Sequence, residues 1–202
     1  LHHGLADVAK LPILTTLNRR LLVLTVATML AAIVGTTAAE AGDAVGWNNA
    51  TGGTGSVAVL PGLEARLLSH INDVRRGAGL VPLRASPALA AAAHEQSLSM
   101  AEHGFFGHDS FSGAPFWKRV ETRYPKSADG AWRVGENLGW SSPRLSARQL
   151  LELWLNSPPH RQNLLTAVWR EVGIAAVHAS SAPGVYAGQD VTILTADFGV
   201  RS

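Results

Sequence analysis

The spacing of apolar positions divides the chain into a helical first part and a strand-rich end. Leu63, Leu67, Ile71 and Val74 recur at three- and four-residue intervals, which predicts an amphipathic helix over Pro61–Arg76 with proline at its first turn. Gly77-Ala78-Gly79 stops it. A second helix opens at Ser86, a good N-cap, with Pro87 at the first helical position. Leu89, Ala92, Ala93, Gln96 and Met100 form one face of it, and Gly104 ends it. Pro115–Tyr124 reads as a short third helix, and Ser146–Leu155 as a fourth with Leu150, Leu151 and Trp154 turned inward. Pro158–Leu165 adds one or two further helical turns. Gly130–Trp140 contains a strand through Trp132-Arg133-Val134. Glu171–Ala179 and Asp190–Val200 alternate or run apolar with β-branched residues, which predicts two long strands paired through a turn near Pro183-Gly184. Helices first, strands interleaved and last, no repeats and no βαβ rhythm place the chain in the α+β class.

The N-terminal region follows a different logic. Lys10, Arg19 and Arg20 precede an uncharged apolar run, Leu21–Val34, and Ala39-Glu40-Ala41 has the small-x-small form of a cleavage site before Gly42. Residues 1–41 are therefore expected to be an export signal, and the protein secreted. The alternative is a retained signal anchor, because residues 21–39 are long enough to span a bilayer. Residues 42–59 are Gly-rich without apolar period and read as a flexible linker, leaving residues 60–202 as the folded domain.

Composition narrows the function. With 202 residues, 47% hydrophobic and 16% charged, the chain has ample material for a packed core. A formal charge of +2 and the lack of a basic stripe argue against nucleic acid as a partner. The chain has no cysteine, which excludes disulfides, thiolate metal sites and cysteine nucleophiles together. No G-x-S-x-G elbow and no S-x-x-K occurs, and Leu98 stands where His94-Glu95 would need a histidine to make a metalloprotease helix.

Three short segments carry unusual local chemistry: Phe105-Phe106-Gly107-His108, Gly135-Glu136-Asn137, and Ser157-Pro158-Pro159-His160-Arg161-Gln162-Asn163-Leu164-Leu165. Phe105 and Phe106 are expected to anchor the His108 loop in the core. Gly135 permits a close approach, and Asn137 can bond its own backbone, so the pair can aim the Glu136 carboxylate at the end of a strand. Ser157 suits an N-cap before the prolines that fix the turn ahead of His160. Arg161 and Asn163 are expected to tie this turn to the sheet, with Leu164 and Leu165 in the core.

The order of these segments resembles the bacterial branch of the CAP superfamily (the SCP domain). Asn72-x-x-Arg75 followed by Gly79-Leu80-x-Pro82-Leu83 is similar to the opening helix and turn of such domains. The resemblance covers about residues 60–200 and implies a three-layer α-β-α sandwich with His108 lining a central cavity. It implies His108, Glu136 and His160 as a cleft set, and two imidazoles with one carboxylate suit zinc or a similar divalent metal. The second acid of the family's tetrad has no clear counterpart: Asn156 follows the Trp154 segment, and Glu152 would face another way on the helix. The family commonly has glycine where Pro159 stands.

Three functions are consistent with this picture. The first is a secreted protein whose cleft binds a small ligand, a lipid or sterol by family association, or a divalent metal, without turnover. The second is a metal-assisted extracellular hydrolase of peptides or envelope polymers. The third is an extracellular interaction module in which the histidines and Glu136 form a structural network. Any membrane contact is expected only through an uncleaved N-terminal segment. His94 is read as a packed helical histidine, and His70, His103 and His178 as surface. Trp132, Trp140, Trp154 and Trp169 are read as a core or cavity-wall set.

Overall fold

The computed structural model describes residues 55–126 and 130–202. The expected signal segment, residues 1–41, and most of the expected linker lie outside the described residues. Among the described residues, no helix is long and apolar enough to cross a membrane.

The chain order is β1 (Val57–Val59), α1 (Pro61–Gly77), β2 (Arg84–Ala85), α2 (Pro87–His103), α3 (Phe116–Arg123), β3 (Trp132–Ser141), α4 (Ala147–Asn156), α5 (Pro158–Leu164), β4 (Glu171–Ala182) and β5 (Gln189–Arg201). The strands form one sheet in the order β1-β4-β5-β3, with β2 also pairing to β4. All pairings are antiparallel except that of the two-residue β2. Helices cover both faces, as the α+β sandwich requires.

The α1 helix begins at proline and places Leu63, Leu67 and Ile71 in the core. In α2 the Ser86 hydroxyl accepts from the Leu89 amide, and Gly104 closes the helix with φ 66°. That left-handed turn suits glycine, and a side chain would also meet the Pro183–Gly184 backbone at 2.6–2.7 Å. The α4 helix starts with a full capping box between Ser146 and Gln149.

Two expectations need correction. Val57–Val59, assigned to the linker, pairs with β4 (Val57 opposite Ala179, Val59 opposite Val177), so the folded domain starts before Leu60. The surrounding glycines hide this strand; its pairing partner lies more than 100 residues away, and local pattern does not report it. The β3 strand runs from Trp132 to Ser141 rather than ending near Val134. Glu136 therefore sits in the middle of a strand, not at its end.

The two faces of the sheet meet different layers. Leu194, Ala196 and Phe198 join a cluster with Leu67, Ile71, Leu150, Leu151 and Trp154 from α1 and α4. The alternate positions of β5 face α2 and α3. Thr195 and Ser97 hydroxyls lie 2.8 Å apart, and Asp197 lies 3.8 Å from the Arg119 guanidinium. Met100 and Leu138 belong to a second cluster with Val177, Val191 and Ile193 on this side.

Candidate functional site

The site forms along β3, which ends the sheet opposite β1 among the described residues. Glu136 points to the α2–α3 layer, while its neighbour Asn137 points to the α4–α5 layer. The Glu136 side chain is 1% exposed. Its Oε1 accepts from His108 Nδ1 at 2.7 Å, and its Oε2 accepts from Arg119 Nη2. His108 itself is half exposed, with 52% of its side chain open to solvent. A carboxylate offers only lone pairs, so the bonded Nδ1 carries a proton, and in the neutral ring Nε2 keeps its lone pair.

The loop that delivers His108 is held from below. Gln96, buried on α2, donates from Nε2 to the Gly107 carbonyl at 2.6 Å and to those of His108 and Asp109 at 3.3 Å. Arg119 Nη1 donates to Gln96 Oε1 at 2.7 Å. Tyr186 donates to the Phe105 carbonyl at 2.9 Å. Phe105 is half-buried beside the second cluster, but Phe106, expected as a core anchor, is exposed. Polar contacts to the backbone hold the loop in place of that ring.

On the other side of β3, Asn137 Nδ2 donates to the His160 carbonyl at 3.1 Å, and its Oδ1 accepts from Asn163 at 3.1 Å. Trp169 Nε1 in turn donates to Asn163 Oδ1 at 3.1 Å. Asn137 thus bonds a neighbouring helix rather than its own backbone. A Cβ on Gly135 would lie 2.7 Å from Asn163 Oδ1 and 2.9 Å from the Trp169 ring, so glycine is what lets α5 approach the strand. Pro158 and Pro159 occupy the first turn of α5, where a missing N–H costs no helical bond. The Ser157 hydroxyl makes no capping bond, contrary to expectation. Asn163 ties α5 to the sheet as expected. Arg161 instead lines an open groove of ≈ 460 Å³ with Leu155, Asn156, Pro158, Gln162 and Leu165. Leu164 is buried, and Leu165 only partly so.

His160 is half-buried, and its pKa is pushed down to about 4, by burial first and by the charge of His108 second. His160 is thereby neutral through the physiological range. Glu136 does not join the two histidines as a free third donor, because both its oxygens are engaged within the protein. Accordingly, among the described residues no group of three or more His, Asp or Glu side chains is arranged to hold a metal ion. The expected set of His108, Glu136 and His160 therefore divides into two imidazoles and one orienting carboxylate. Asn156 lines the open groove, and no second acid stands at that position.

Three residues of the site carry no motif: Gln96, Arg119 and Asp197. Asp197 stands directly opposite Glu136 across the β3–β5 ladder and is fully buried. Neither of its carboxyl oxygens has a hydrogen-bond partner among the described residues. Burial first, and then the Glu136 charge, hold its pKa well above the ordinary carboxylate range, against the opposing pull of Arg119. The sequence signal was present only as polar residues at inward positions: Gln96 on the apolar face of α2, and Asp197 as a charged residue in the run of threonines and apolar residues from Val191 to Val200. Arg119 left none.

The remaining histidines divide as well. His94 Nε2 lies 3.2 Å from Glu64 Oε1, which also accepts from the Ala176 amide, so His94 is structural. His103 is exposed and stacks on Phe111 at 4.1 Å. His178, expected at the surface, is partly buried, with Nδ1 enclosed and unpartnered among the described residues. Trp154 and Trp169 are buried, whereas Trp132 and Trp140 are only partly so.

The model of the cysteine-rich secretory protein (CAP) family matches residues 68–195. The chain belongs to this family. It is a CAP domain without a single cysteine, so the packing described above, and no covalent cross-link, holds it together. Among relatives, YkwD of Bacillus subtilis (strain 168) is 28% identical over 121 residues, which is 58% of this chain and 44% of that protein. An extracellular SCP-domain protein of Bacillus anthracis is similar in structure, with a TM-score of 0.53 and 24% identity over 68% of this chain and 40% of the other. An outer surface protein of Borrelia burgdorferi gives a TM-score of 0.54 at 20% identity, covering 68% of this chain and 92% of the other. The chain thus spans less than half the length of the two Bacillus proteins. The structural likenesses establish the CAP fold.

Proposed function

We propose that this CAP domain is secreted and that its cleft binds a small ligand through the His108 and His160 imidazoles, without turnover. A divalent cation such as zinc is the ligand class that fits this donor set best. The observation that carries the reading is the 2.7 Å contact between His108 Nδ1 and Glu136 Oε1, with the carboxylate sealed from water and the imidazole half open. A carboxylate behind a histidine is the arrangement that fixes the ring and strengthens its free nitrogen as a donor. His160, neutral because its pKa is near 4, has its lone pair available without first losing a proton. Two protein donors give a weak site, whose remaining positions solvent or an organic ligand would complete. The descriptions of the Bacillus anthracis and Borrelia burgdorferi relatives as extracellular and outer surface proteins support an extracellular setting.

The test is a calorimetric zinc titration of the full chain beside a His108→Ala, His160→Ala double variant. Saturable heat in the parent and none in the variant is the expected result. No heat in either sinks the metal reading and directs attention to lipid extraction and partner capture. A second reading, a metal-assisted hydrolase, rests on the same contact, because a carboxylate-oriented imidazole also polarises water. That reading requires activity that a chelator abolishes.

A further inference from the structure

We infer that Gln96 and Arg119 are the positioning residues of the cleft: through the backbone of residues 107–109 and the far oxygen of Glu136, they set which nitrogen His108 presents to a ligand. The inference rests on the cleft reading proposed above, but it concerns groups that no ligand would touch.

The argument begins with what His108 lacks. Its ring is half exposed, and Phe106 beside it is exposed too, so apolar packing reaches the loop at Phe105 but does not enclose His108. A loop tip of this kind would ordinarily sample many orientations. Instead, three successive carbonyls, those of Gly107, His108 and Asp109, converge on the Nε2 amide group of Gln96, at 2.6, 3.3 and 3.3 Å. Gln96 is 1% exposed. Its other end is fixed as well, since Oε1 accepts from Arg119 Nη1 at 2.7 Å. The amide orientation follows from these contacts: only the nitrogen can donate to carbonyls, and only the oxygen can accept from a guanidinium.

Arg119 closes the arrangement. One guanidinium nitrogen serves Gln96 and reaches the His108 carbonyl at 3.4 Å, while the other bonds Glu136 Oε2. The planar fork spans both tasks with its donors fixed in direction, whereas an ammonium is a single point on a flexible stem. The Glu136 carboxylate is therefore held with Oε1 facing His108, and the His108 main chain is held at the height where Nδ1 meets that oxygen. Loss of either support frees the ring to turn or change tautomer, and the cleft then loses its fixed Nε2 lone pair.

The experiment is long-range proton–nitrogen NMR of the imidazoles in the full chain, comparing the parent with Gln96→Met and Arg119→Lys, together with zinc titrations of all three. In the parent, His108 is expected to show the single tautomer protonated at Nδ1. In both variants a mixture of tautomers is expected, with zinc affinity lower by about 10–100-fold, the usual effect of losing a residue that orients a ligand. The Gln96→Met change removes no charge and keeps the volume, so it stands as the deciding variant if Arg119→Lys fails to fold. Retention of amide dispersion in β4 and β5 shows that the fold survives. A folded Gln96→Met protein with the parent's single tautomer overturns the inference. If the parent binds no zinc, the cleft reading fails by itself, and the tautomer comparison still decides the role of Gln96.

Discussion

The two faces of β5 differ in kind. On one, Leu194, Ala196 and Phe198 enter a dry cluster with α1 and α4. On the other, Thr195 and Asp197 are equally buried, at 0% exposure, yet they meet Ser97 and Arg119. Burial is the same, and only the chemistry of the covering helix differs. The apolar face gains by excluding water and has no preferred partner beyond shape. The polar face gains only if each group finds its complement, so it is sensitive to a single missing partner. The site grows out of the polar face because a buried charge there can be aimed.

The sharpest way to break this contrast is to remove the guanidinium. Arg119→Met leaves Glu136 as a buried charge without its strongest partner and is expected to destabilise by about 3–5 kcal/mol in urea unfolding. Adding Glu136→Leu should recover much of the loss, since an apolar pair can replace a buried ion pair nearly evenly. If the double variant is no more stable than the single, the polar face is not limited by the unpaired charge. On the dry face, Leu194→Ala is expected to cost roughly 2–5 kcal/mol, because its neighbours come from two helices and the sheet and close a cavity poorly. No second substitution of charge or hydrogen bonding should rescue it. Ser146→Ala removes the α4 cap and should lower stability by about 1 kcal/mol on the dry side alone, without disturbing the His108 resonances.

The effects of pH have opposite signs at Asp197 and His160. Asp197 binds its proton more tightly when folded than when unfolded, so between 3.8 and its raised folded pKa the native state holds more protons and stability falls as pH rises. Asp197→Asn, which stands in for the protonated acid, should remove that decline, so its urea midpoint should gain on the parent's as pH rises above 3.8. His160 runs the other way. Its folded pKa of about 4 lies below the ordinary 6.5, so the native state holds fewer protons in that window, and stability is lost as pH falls through it. His160→Gln in the metal-free protein should flatten the acid side. Urea midpoints between pH 4 and 10 check both signs.

How much of this was legible in the sequence follows the same division. The helices announced themselves by spacing, proline and caps, because those signals act over one or two turns. The strand β3 was read too short because Gly135, Glu136, Asn137 and Gly139 are poor strand formers. They lie in a strand because they pair residue by residue with β5, from Gly135 opposite Phe198 to Gly139 opposite Leu194, a contact between distant segments. His108, Glu136 and His160 stand out as candidates through the resemblance of their motifs to the family's, and β3 meets two of them directly, bonding His108 through Glu136 and the His160 carbonyl through Asn137. Their separate roles could not be named. That Glu136 is spent on orientation depends on Arg119, and Arg119 depends on Gln96; each belongs to a different element, and no local pattern links them.

The placement of the two imidazoles has a mechanical consequence. His108 arrives from the helical layer on one side of the sheet, and the helix bearing His160 is bonded to Asn137 from the other. A ligand that engages both rings would act as a staple at the β3 edge of the sandwich, joining the two helical layers there as the His94–Glu64 contact between α2 and α1 joins them elsewhere. In a domain without disulfides, occupancy of the cleft would then be registered as resistance to thermal unfolding, growing with the logarithm of ligand concentration over its dissociation constant.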